Sequence, residues 1–359
     1  MNNWVSLYNY TPYYVYAMGI IVVFTLFSLV LKRVDYTVKA SPMGFWTFLL
    51  FTAILLYMGL RPISGSVFAD MGVYNRNFLA YQSGLVPIPG QKDFFFHFGT
   101  YLAAQIMSNH SYFFLCALLY IFPMYIVSKK WFGAYKYYAF LLLIISFSFW
   151  GYGTNGIRNG ISTSMLLWAF TQKKWIPRLA LFFIAYAFHG SAMIPIAAYV
   201  ISLFYKNTKT YMWVWLACIP ISLAFGNSLE GFLGGLDFDD RAEYFTLEEG
   251  AEGYYRTGFR PDFLLYGAVP IIMAYFFIIR NKWYNKTYMQ LMHIYITANA
   301  FWILVMRANF SNRFAYLSWF MMAIVTLYPL IFSPHLKNKN QAMALLIAGT
   351  YLFTFIMFL

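Results

Sequence analysis

Apolar residues follow one another along this chain in continuous runs of about 15–20 positions, long enough to span much of a bilayer. The runs do not alternate apolar and polar residues, as the strands of a membrane barrel do. Because lipid offers the backbone no hydrogen-bonding partner, such runs predict helices. We therefore predict an all-α, polytopic integral membrane protein with about 12 transmembrane helices, at residues 13–31, 43–60, 111–128, 136–150, 157–172, 175–189, 190–205, 211–226, 262–280, 287–306, 313–332 and 341–358.

Two long polar stretches interrupt this pattern. In the first, residues 61–110, the shorter apolar run 94–107 contains a histidine and a glutamine and is predicted to be an interfacial or re-entrant helix. The second, residues 227–261, mixes glycines, acids and aromatic residues, and loops of this length are usually functional or disordered. We predict a single transmembrane domain over residues 1–359, with both stretches as outer loops and 227–261 lying over the active site.

The composition agrees with a membrane protein. Hydrophobic residues make up 61% of the chain and charged residues only 10%, whereas about a quarter of an ordinary soluble domain is charged. Cys116 and Cys218 lie inside apolar runs, so neither a disulfide framework nor a metal site is expected. The sequence contains no Walker A, CxxC or HExxH pattern, and we predict no cofactor.

The net charge of +13 reflects orientation in the membrane. With the N-terminus outside, sixteen of the 25 Lys and Arg residues fall in short inner loops, as the positive-inside rule requires. No nucleic-acid partner is therefore implied. Eight of the nine outer basic residues are arginines, whose flat and permanently charged fork can hold two phosphate oxygens at once. The outer face is thus predicted to bind phosphate groups, and pairing of these arginines with the eleven outer acidic residues remains open as the alternative.

Candidate site residues lie at the outer ends of the predicted spans. Arg158 begins one span, and His189 lies in a tight turn between two others. Arg307 and Arg313 flank a third junction. Ionisable residues at membrane depth cost about 2.5–3.5 kcal/mol each and are functional by default. Snorkelling of the arginines to the interface and helix capping by the histidine remain open as alternatives.

The two long loops supply further candidates. Asp70 lies in the first loop and could either act in catalysis or pair with a nearby arginine, Arg61 or Arg76. Tyrosines and arginines of the second loop suit stacking on sugar rings and binding of phosphate, and they are Tyr254, Tyr255, Arg256 and Arg260.

The order of these elements resembles the Wzy-type polysaccharide polymerases, and specifically their EpsG-like branch. That branch has an Asp followed by a Tyr in the first outer loop, matched by Asp70 and Tyr74. Three further elements match in order. The first, Asn-Gly-x-Arg-Gln, is matched by Asn155, Gly156, Arg158 and Asn159. The second, Ala-x-x-x-His-x-Ser-Ala, is matched by Ala185, His189, Ser191 and Ala192. The third, an Arg before an aromatic-rich span, is matched by Arg313, Phe314 and Tyr316. The sequence departs from the family where Asn159 replaces the usual Gln.

The resemblance implies a GT-C-like glycosyltransferase in the bacterial plasma (inner) membrane, with its active site facing the periplasm or cell exterior. Its donor and acceptor would both be glycans linked to undecaprenyl diphosphate, and a chain-length regulator and a flippase are its candidate protein partners. Such an enzyme polymerises oligosaccharide repeat units, as in O-antigen or exopolysaccharide synthesis. A glycan ligase with another acceptor, a flippase for lipid-linked oligosaccharides and an assembly scaffold remain alternatives.

Each candidate residue has a predicted role in this reaction. His189 is the first candidate for accepting the proton of the acceptor hydroxyl, and Asp70 the second. The departing diphosphate develops negative charge, which an arginine cluster would stabilise without a metal. We assign this cluster to Arg158, Arg256, Arg260, Arg307 and Arg313, and glycan binding to Tyr74, Asn159, Tyr254 and Tyr255. The apolar helix that begins near Arg158 is predicted to face the prenyl chain.

Overall fold

The computed structural model describes residues 5–31, 43–91, 93–234, 258–307 and 311–358. No strand occurs in these ranges, which confirms the all-α prediction for the described part of the chain. The α-helices are α1 (Tyr10–Leu31), α2 (Met43–Gly59), α3 (Asp70–Gln82), α4 (Phe94–Ile106), α5 (Asn109–Phe132), α6 (Lys136–Ile145), α7 (Phe147–Thr154), α8 (Ile157–Phe170), α9 (Trp175–Phe188), α10 (Met193–Phe204), α11 (Thr208–Gly234), α12 (Pro261–Ala274), α13 (Lys286–Leu304), α14 (Asn312–Trp319), α15 (Met322–Phe332) and α16 (Lys339–Phe358).

Several helical stretches are long and apolar enough to cross a membrane. Within the described residues five meet both conditions, and they are Leu7–Val30, Asn109–Ile145, Pro261–Arg280, Arg313–Phe332 and Lys339–Phe358. Shorter apolar helices occupy Gly44–Gly59, Trp175–Phe188 and Gly190–Phe204. The chain is a helical integral membrane protein, and the count of twelve spans stays a prediction.

The chain forms two compact units, which are described separately. Unit 1 comprises Met1–His189 and Asn338–Leu359, and unit 2 comprises Gly190–Lys337. In unit 1, α5 packs against α2 and α8, α8 packs against α9, and α16 packs against α1. In unit 2, α13 packs against α10, α11 and α14, and it is buried along most of its length.

Unit 1 breaks one predicted span in two. The run 136–150 forms α6 and α7, which are separated at Ser146. A helix break frees backbone carbonyls, which must find other partners inside an apolar environment. Side chains from the two ends of the chain supply them, because the Tyr14 hydroxyl donates to the carbonyl of Ile144 and the Thr354 hydroxyl donates to that of Ile145.

Helix α8 lies inside unit 1. Residues 159–167 of this helix are all buried, and Ile161 to Ser164 are fully inaccessible. Ser162 donates a hydrogen bond to the carbonyl of Ala185 on α9 at 2.7 Å, which fastens the two helices together. The prediction that this helix faces the prenyl chain is therefore wrong, because protein covers the surface that a lipid chain would contact.

The two predicted outer loops contain more helix than the sequence suggested. The stretch 94–107 forms α4, which confirms a helix there, and α3 precedes it within the same predicted loop 61–110. The predicted loop 227–261 is wrong at its start, because α11 continues to Gly234. Residues 235–257 lie outside the described part of the chain.

Candidate active site

A turn between α7 and α8 joins two elements that are distant in the sequence. Asn155 lies in this turn, and its side-chain oxygen accepts a hydrogen bond of 2.7 Å from the backbone N–H of Asp70. Asp70 is the first residue of α3, and the residue before it, Ala69, offers no side-chain cap. Asn155 therefore caps α3 from another part of the chain. The contact holds the first outer loop against the beginning of α8.

Arg158, in the first turn of α8, forms an ion pair with Asp93. Its Nη1 atom donates to Oδ2 of Asp93 at 2.7 Å. The carboxylate side chain is 6% exposed and the arginine side chain 24% exposed. A charge-assisted hydrogen bond of this length is strong, and a buried charge requires such a partner. The paired guanidinium group is therefore partly exposed.

Two aromatic rings lie beside the Arg158 guanidinium. The guanidinium carbon is 5.8 Å from the ring centre of Tyr74 and 5.9 Å from that of Phe96. Both rings are buried, and they contact each other edge to face. Cation–π contacts at this distance restrict the orientation of the planar guanidinium. Tyr74 thus lies next to Arg158.

His189 completes the cluster from the end of α9. Its Nδ1 atom lies 3.2 Å from Oδ2 of Asp93, the same oxygen that Arg158 contacts. The histidine is 5% exposed, and its backbone N–H donates to the carbonyl of Ala185 in the last turn of α9. One buried carboxylate therefore bridges an arginine and a histidine that are 31 positions apart in the sequence. We call Asp93, Arg158 and His189 the Asp93 cluster.

Asp93 is held in an unusual backbone conformation. It immediately precedes α4 with φ 52°, in the left-handed region that few residues other than glycine adopt. Its carbonyl accepts hydrogen bonds from the N–H groups of Phe96 and His97 and so begins the helix. Residues in such conformations are concentrated at functional sites. The Asp93 carboxylate makes no capping hydrogen bond to the backbone of α4. It contacts Arg158 and His189 instead.

Arg61 stabilises the turn between α7 and α8. It is 1% exposed, and it donates hydrogen bonds to the carbonyls of Met58 at 2.6 Å and Thr154 at 3.4 Å. These carbonyls lie in the last turns of α2 and α7, where the helix dipole favours a cation. Burial lowers the pKa of Arg61 to about 10, so the side chain stays charged at neutral pH. Because Thr154 directly precedes Asn155, Arg61 positions the turn that leads to Arg158.

Two glycines and a buried amide lie at the first turn of α8. A Cβ atom on Gly156 would lie 2.7 Å from the ring of Tyr152, and one on Gly160 would lie 2.6 Å from the carbonyl oxygen of Tyr152. These glycines therefore allow close packing. Asn159 is 3% exposed, and its amide nitrogen and oxygen have no hydrogen-bond partner among the described residues. Since buried amides are normally paired, this one is suited to receive a ligand hydroxyl.

The other predicted residues are divided between unit 1, unit 2 and the part of the chain that the structure does not describe. Asp70 begins α3 and is half-buried, and an acid at that position also stabilises the helix through its dipole. Within unit 2, Arg260 forms a bidentate pair with Asp262 at 3.0 and 2.6 Å. Arg307 follows α13 and Arg313 lies in α14. Their participation in one cluster with Arg158 stays a prediction, and Tyr254, Tyr255 and Arg256 lie outside the described residues.

Asp93 is the main residue that the sequence analysis missed. It lies at the boundary between a polar segment and the run Phe94-Phe95-Phe96, where an acid is equally expected as a helix cap. A charged residue directly before a run of three aromatic residues was the available signal. No group of three or more His, Cys, Asp or Glu side chains that could hold a metal was found in the described part of the chain.

The comparisons with known proteins agree with the motif order. A family model described as the EpsG family matches residues 44–359, a range that contains the whole Asp93 cluster. Searches of the curated proteins and of the solved structures returned no match. The resemblance to the EpsG-like branch that the motifs indicated is thereby confirmed.

Proposed function

Because this chain belongs to the EpsG family, we propose that it polymerises oligosaccharide repeat units linked to undecaprenyl diphosphate. The reaction takes place at the outer face of the bacterial plasma membrane, on a GT-C-like scaffold. The donor is a growing glycan on its lipid carrier, and the acceptor is a sugar hydroxyl of a second lipid-linked unit. The enzyme thus extends a polysaccharide by transfer of glycan from one lipid to the other.

The Asp93 cluster is the observation that carries this proposal. Three chain segments that resemble family elements meet there, namely the first outer loop, the beginning of α8 and the end of α9. Residues that only stabilised the helices would not need to unite a guanidinium, a carboxylate and an imidazole around a single oxygen. A cation beside a base is the combination that glycosyl transfer from a diphosphate requires.

Each member of the cluster has a defined part in the reaction. The acceptor oxygen attacks the anomeric carbon of the donor sugar, and the bond from that carbon to the diphosphate oxygen breaks. The acceptor proton passes to Nε2 of His189, because Asp93 lies against Nδ1 and favours the tautomer with its proton on that atom. The diphosphate leaves with the bonding electrons on the lipid carrier, and Arg158 stabilises its negative charge.

The surrounding residues extend this assignment. Tyr74 and Asn159 lie next to Arg158 and are proposed to bind the glycan, Asn159 through its unpaired amide. Arg256, Arg260, Arg307 and Arg313 are proposed to complete the diphosphate site. Arg260 would then have to exchange its carboxylate partner Asp262 for a phosphate group. Arginines supply the required positive charge, so we propose a transfer that needs no metal ion.

Reconstitution of the full chain in lipid vesicles with purified lipid-linked repeat unit tests this function. Without ATP or added metal, we expect a ladder of lengthening glycans that disappears in the His189→Gln variant. Addition of a single finished glycan to a different acceptor would instead identify a ligase. Movement of unreacted substrate to the opposite leaflet would identify a carrier. Either of the last two results would overturn the proposed polymerase.

Asp93 is expected to act through His189 and Arg158. Asp93→Asn removes the charge that both groups share, and one hydrogen bond to a charged group is worth about 1.5–3 kcal/mol, or roughly tenfold to more than a hundredfold in rate. We expect kcat to fall by about this factor while KM changes less. The kinetics of the purified variant provide the measurement.

The Asp93→Glu variant separates a role in positioning from a role in folding alone. It restores the carboxylate on a longer side chain, so we expect it to recover part of the lost kcat. If Asp93→Asn kept full kcat, or if both variants lost activity only in proportion to lost thermal stability, Asp93 would have no part in the reaction.

A further inference from the structure

An apolar groove in unit 2 is lined by none of the residues assigned to catalysis. It has a volume of about 540 Å³ and lies between α11 and α12 with the π-helix Tyr275–Arg280 that continues α12. Both walls pack against α13, which leaves the groove between them. Apart from Lys209, its lining is formed by apolar and aromatic side chains, namely Met212, Trp213, Trp215, Leu216, Ala268, Ile271, Ile272, Tyr275 and Ile279.

The floor of the groove is formed by buried residues and its rim by exposed ones. Trp215 and Ile271 are buried, while Trp213, Ile272 and Tyr275 are more than half exposed. The Trp215 indole N–H donates to Asn299 at 2.7 Å, and the Asn299 amide in turn donates to Ser318 at 3.0 Å. The polar atom of the floor is therefore satisfied by the protein, and the groove presents hydrocarbon to its occupant. Such a surface favours an aliphatic chain.

One end of the groove is basic. Lys209 is the second residue of α11 and is exposed, and Arg280, at the end of the π-helix, is exposed next to Ile279 of the lining. Lys206 and Lys282 flank these two residues and are exposed as well. All four are among the sixteen basic residues that the positive-inside rule assigns to the cytoplasmic face. An occupant of the groove would therefore have an aliphatic tail and an anionic headgroup in the inner leaflet.

We propose that this groove is a binding site for an anionic phospholipid of the inner leaflet, with one acyl chain along the groove and its phosphate near Lys209. The proposed lipid-linked substrate has its diphosphate at the outer face and so would leave the basic end unpaired. A zwitterionic phospholipid would fill the groove with its chain but would gain less from Lys209. Charge complementarity therefore selects the anionic lipid. π-Helical turns are frequent at functional sites, and here one forms part of the wall.

Lipid retention by the purified full chain tests the proposal. The protein is exposed to equal amounts of phosphatidylglycerol and phosphatidylcholine with identical acyl chains, and bound lipids are counted by native mass spectrometry. One lysine near an anionic lipid contributes roughly 1 kcal/mol, so we expect about fivefold preference for phosphatidylglycerol. Lys209→Gln should bring this preference close to one. Lys174→Gln, which removes an exposed lysine of unit 1, is the matched control and should retain it.

A groove-filling variant tests the position of the acyl chain. Ala268→Phe places a ring among the lining residues and is expected to remove the bound lipid of either type, while the protein elutes as the wild type does in gel filtration. The proposal would be overturned if Lys209→Gln kept the wild-type preference for phosphatidylglycerol, or if Lys174→Gln lost that preference as fully as Lys209→Gln does. Retention of undecaprenyl diphosphate in preference to phosphatidylglycerol would overturn it too, whatever the outcome for catalysis.

Discussion

Replacing His189 with glutamine is expected to lower kcat for glycan polymerisation by about 10²–10⁴-fold, the usual contribution of a general base. Glutamine can occupy a similar volume and form hydrogen bonds, but it cannot accept the acceptor proton. His189 is buried against Asp93, so the variant should leave the packing of α9 nearly intact. Initial rates of glycan extension in vesicles, at equal protein abundance, provide the measurement.

Two further variants distinguish the loss of a general base at His189 from other causes of lower activity. His110→Gln alters an exposed histidine at the beginning of α5 and is expected to keep wild-type kcat. Asp70→Asn tests the second candidate base, and we expect less than about a tenfold loss, in line with a helix-stabilising residue. A large loss in Asp70→Asn together with near-normal activity in His189→Gln would transfer the role of base to Asp70.

Substitution of Arg158 by lysine is expected to lower kcat by about 10²–10³-fold, as loss of one oriented donor to a developing anion does. Lysine keeps the positive charge and can still pair with Asp93. It lacks the planar fork that contacts two phosphate oxygens and that Tyr74 and Phe96 orient. Inorganic pyrophosphate should inhibit the wild type by competing for this site, and it should inhibit Arg158→Lys less.

Arg76→Lys provides the matched control for Arg158→Lys. Arg76 is an exposed arginine of α3, in the same predicted outer loop as Asp93, and we expect its replacement to change neither kcat nor inhibition by pyrophosphate. Full polymer length and unchanged pyrophosphate inhibition in Arg158→Lys would show that Arg158 does not bind the diphosphate.

The sequence predicted the helical class and the order of the site elements. Both follow from local information, since continuous apolar runs predict membrane helices and the spacing within each motif is short. The sequence also predicted that Asp70, Tyr74, Arg158 and His189 would belong to one region. In the structure the hydrogen bond from Asp70 to Asn155 and the contacts of Arg158 and His189 with Asp93 link these segments.

Features that depend on tertiary contacts were not predictable in the same way. The break at Ser146 is stabilised by hydroxyl groups from α1 and α16, which are distant in the sequence. The burial of α8 depends on its packing against α5 and α9, which an apolar run alone cannot distinguish from exposure to lipid. Asp93 has the local sequence of a helix cap, and only its unusual φ and its two partners indicate another role.

Tertiary contacts also determine the structural role of Arg61. The sequence left open whether Asp70 pairs with Arg61 or Arg76, and the structure shows Arg61 donating to the carbonyls of Met58 and Thr154. A buried arginine that contacts two helix ends has little freedom to move. Arg61 therefore stabilises the turn that leads to Arg158, whereas Arg158 itself is partly exposed.

The decisive experiment is a structure of the full chain bound to a non-reactive, diphosphate-linked glycan analogue. We expect the diphosphate within hydrogen-bond reach of the Arg158 guanidinium, and an acceptor hydroxyl about 2.6–3.2 Å from Nε2 of His189. A diphosphate bound away from the Asp93 cluster, with Arg158 and His189 both still enclosed by protein, would contradict it.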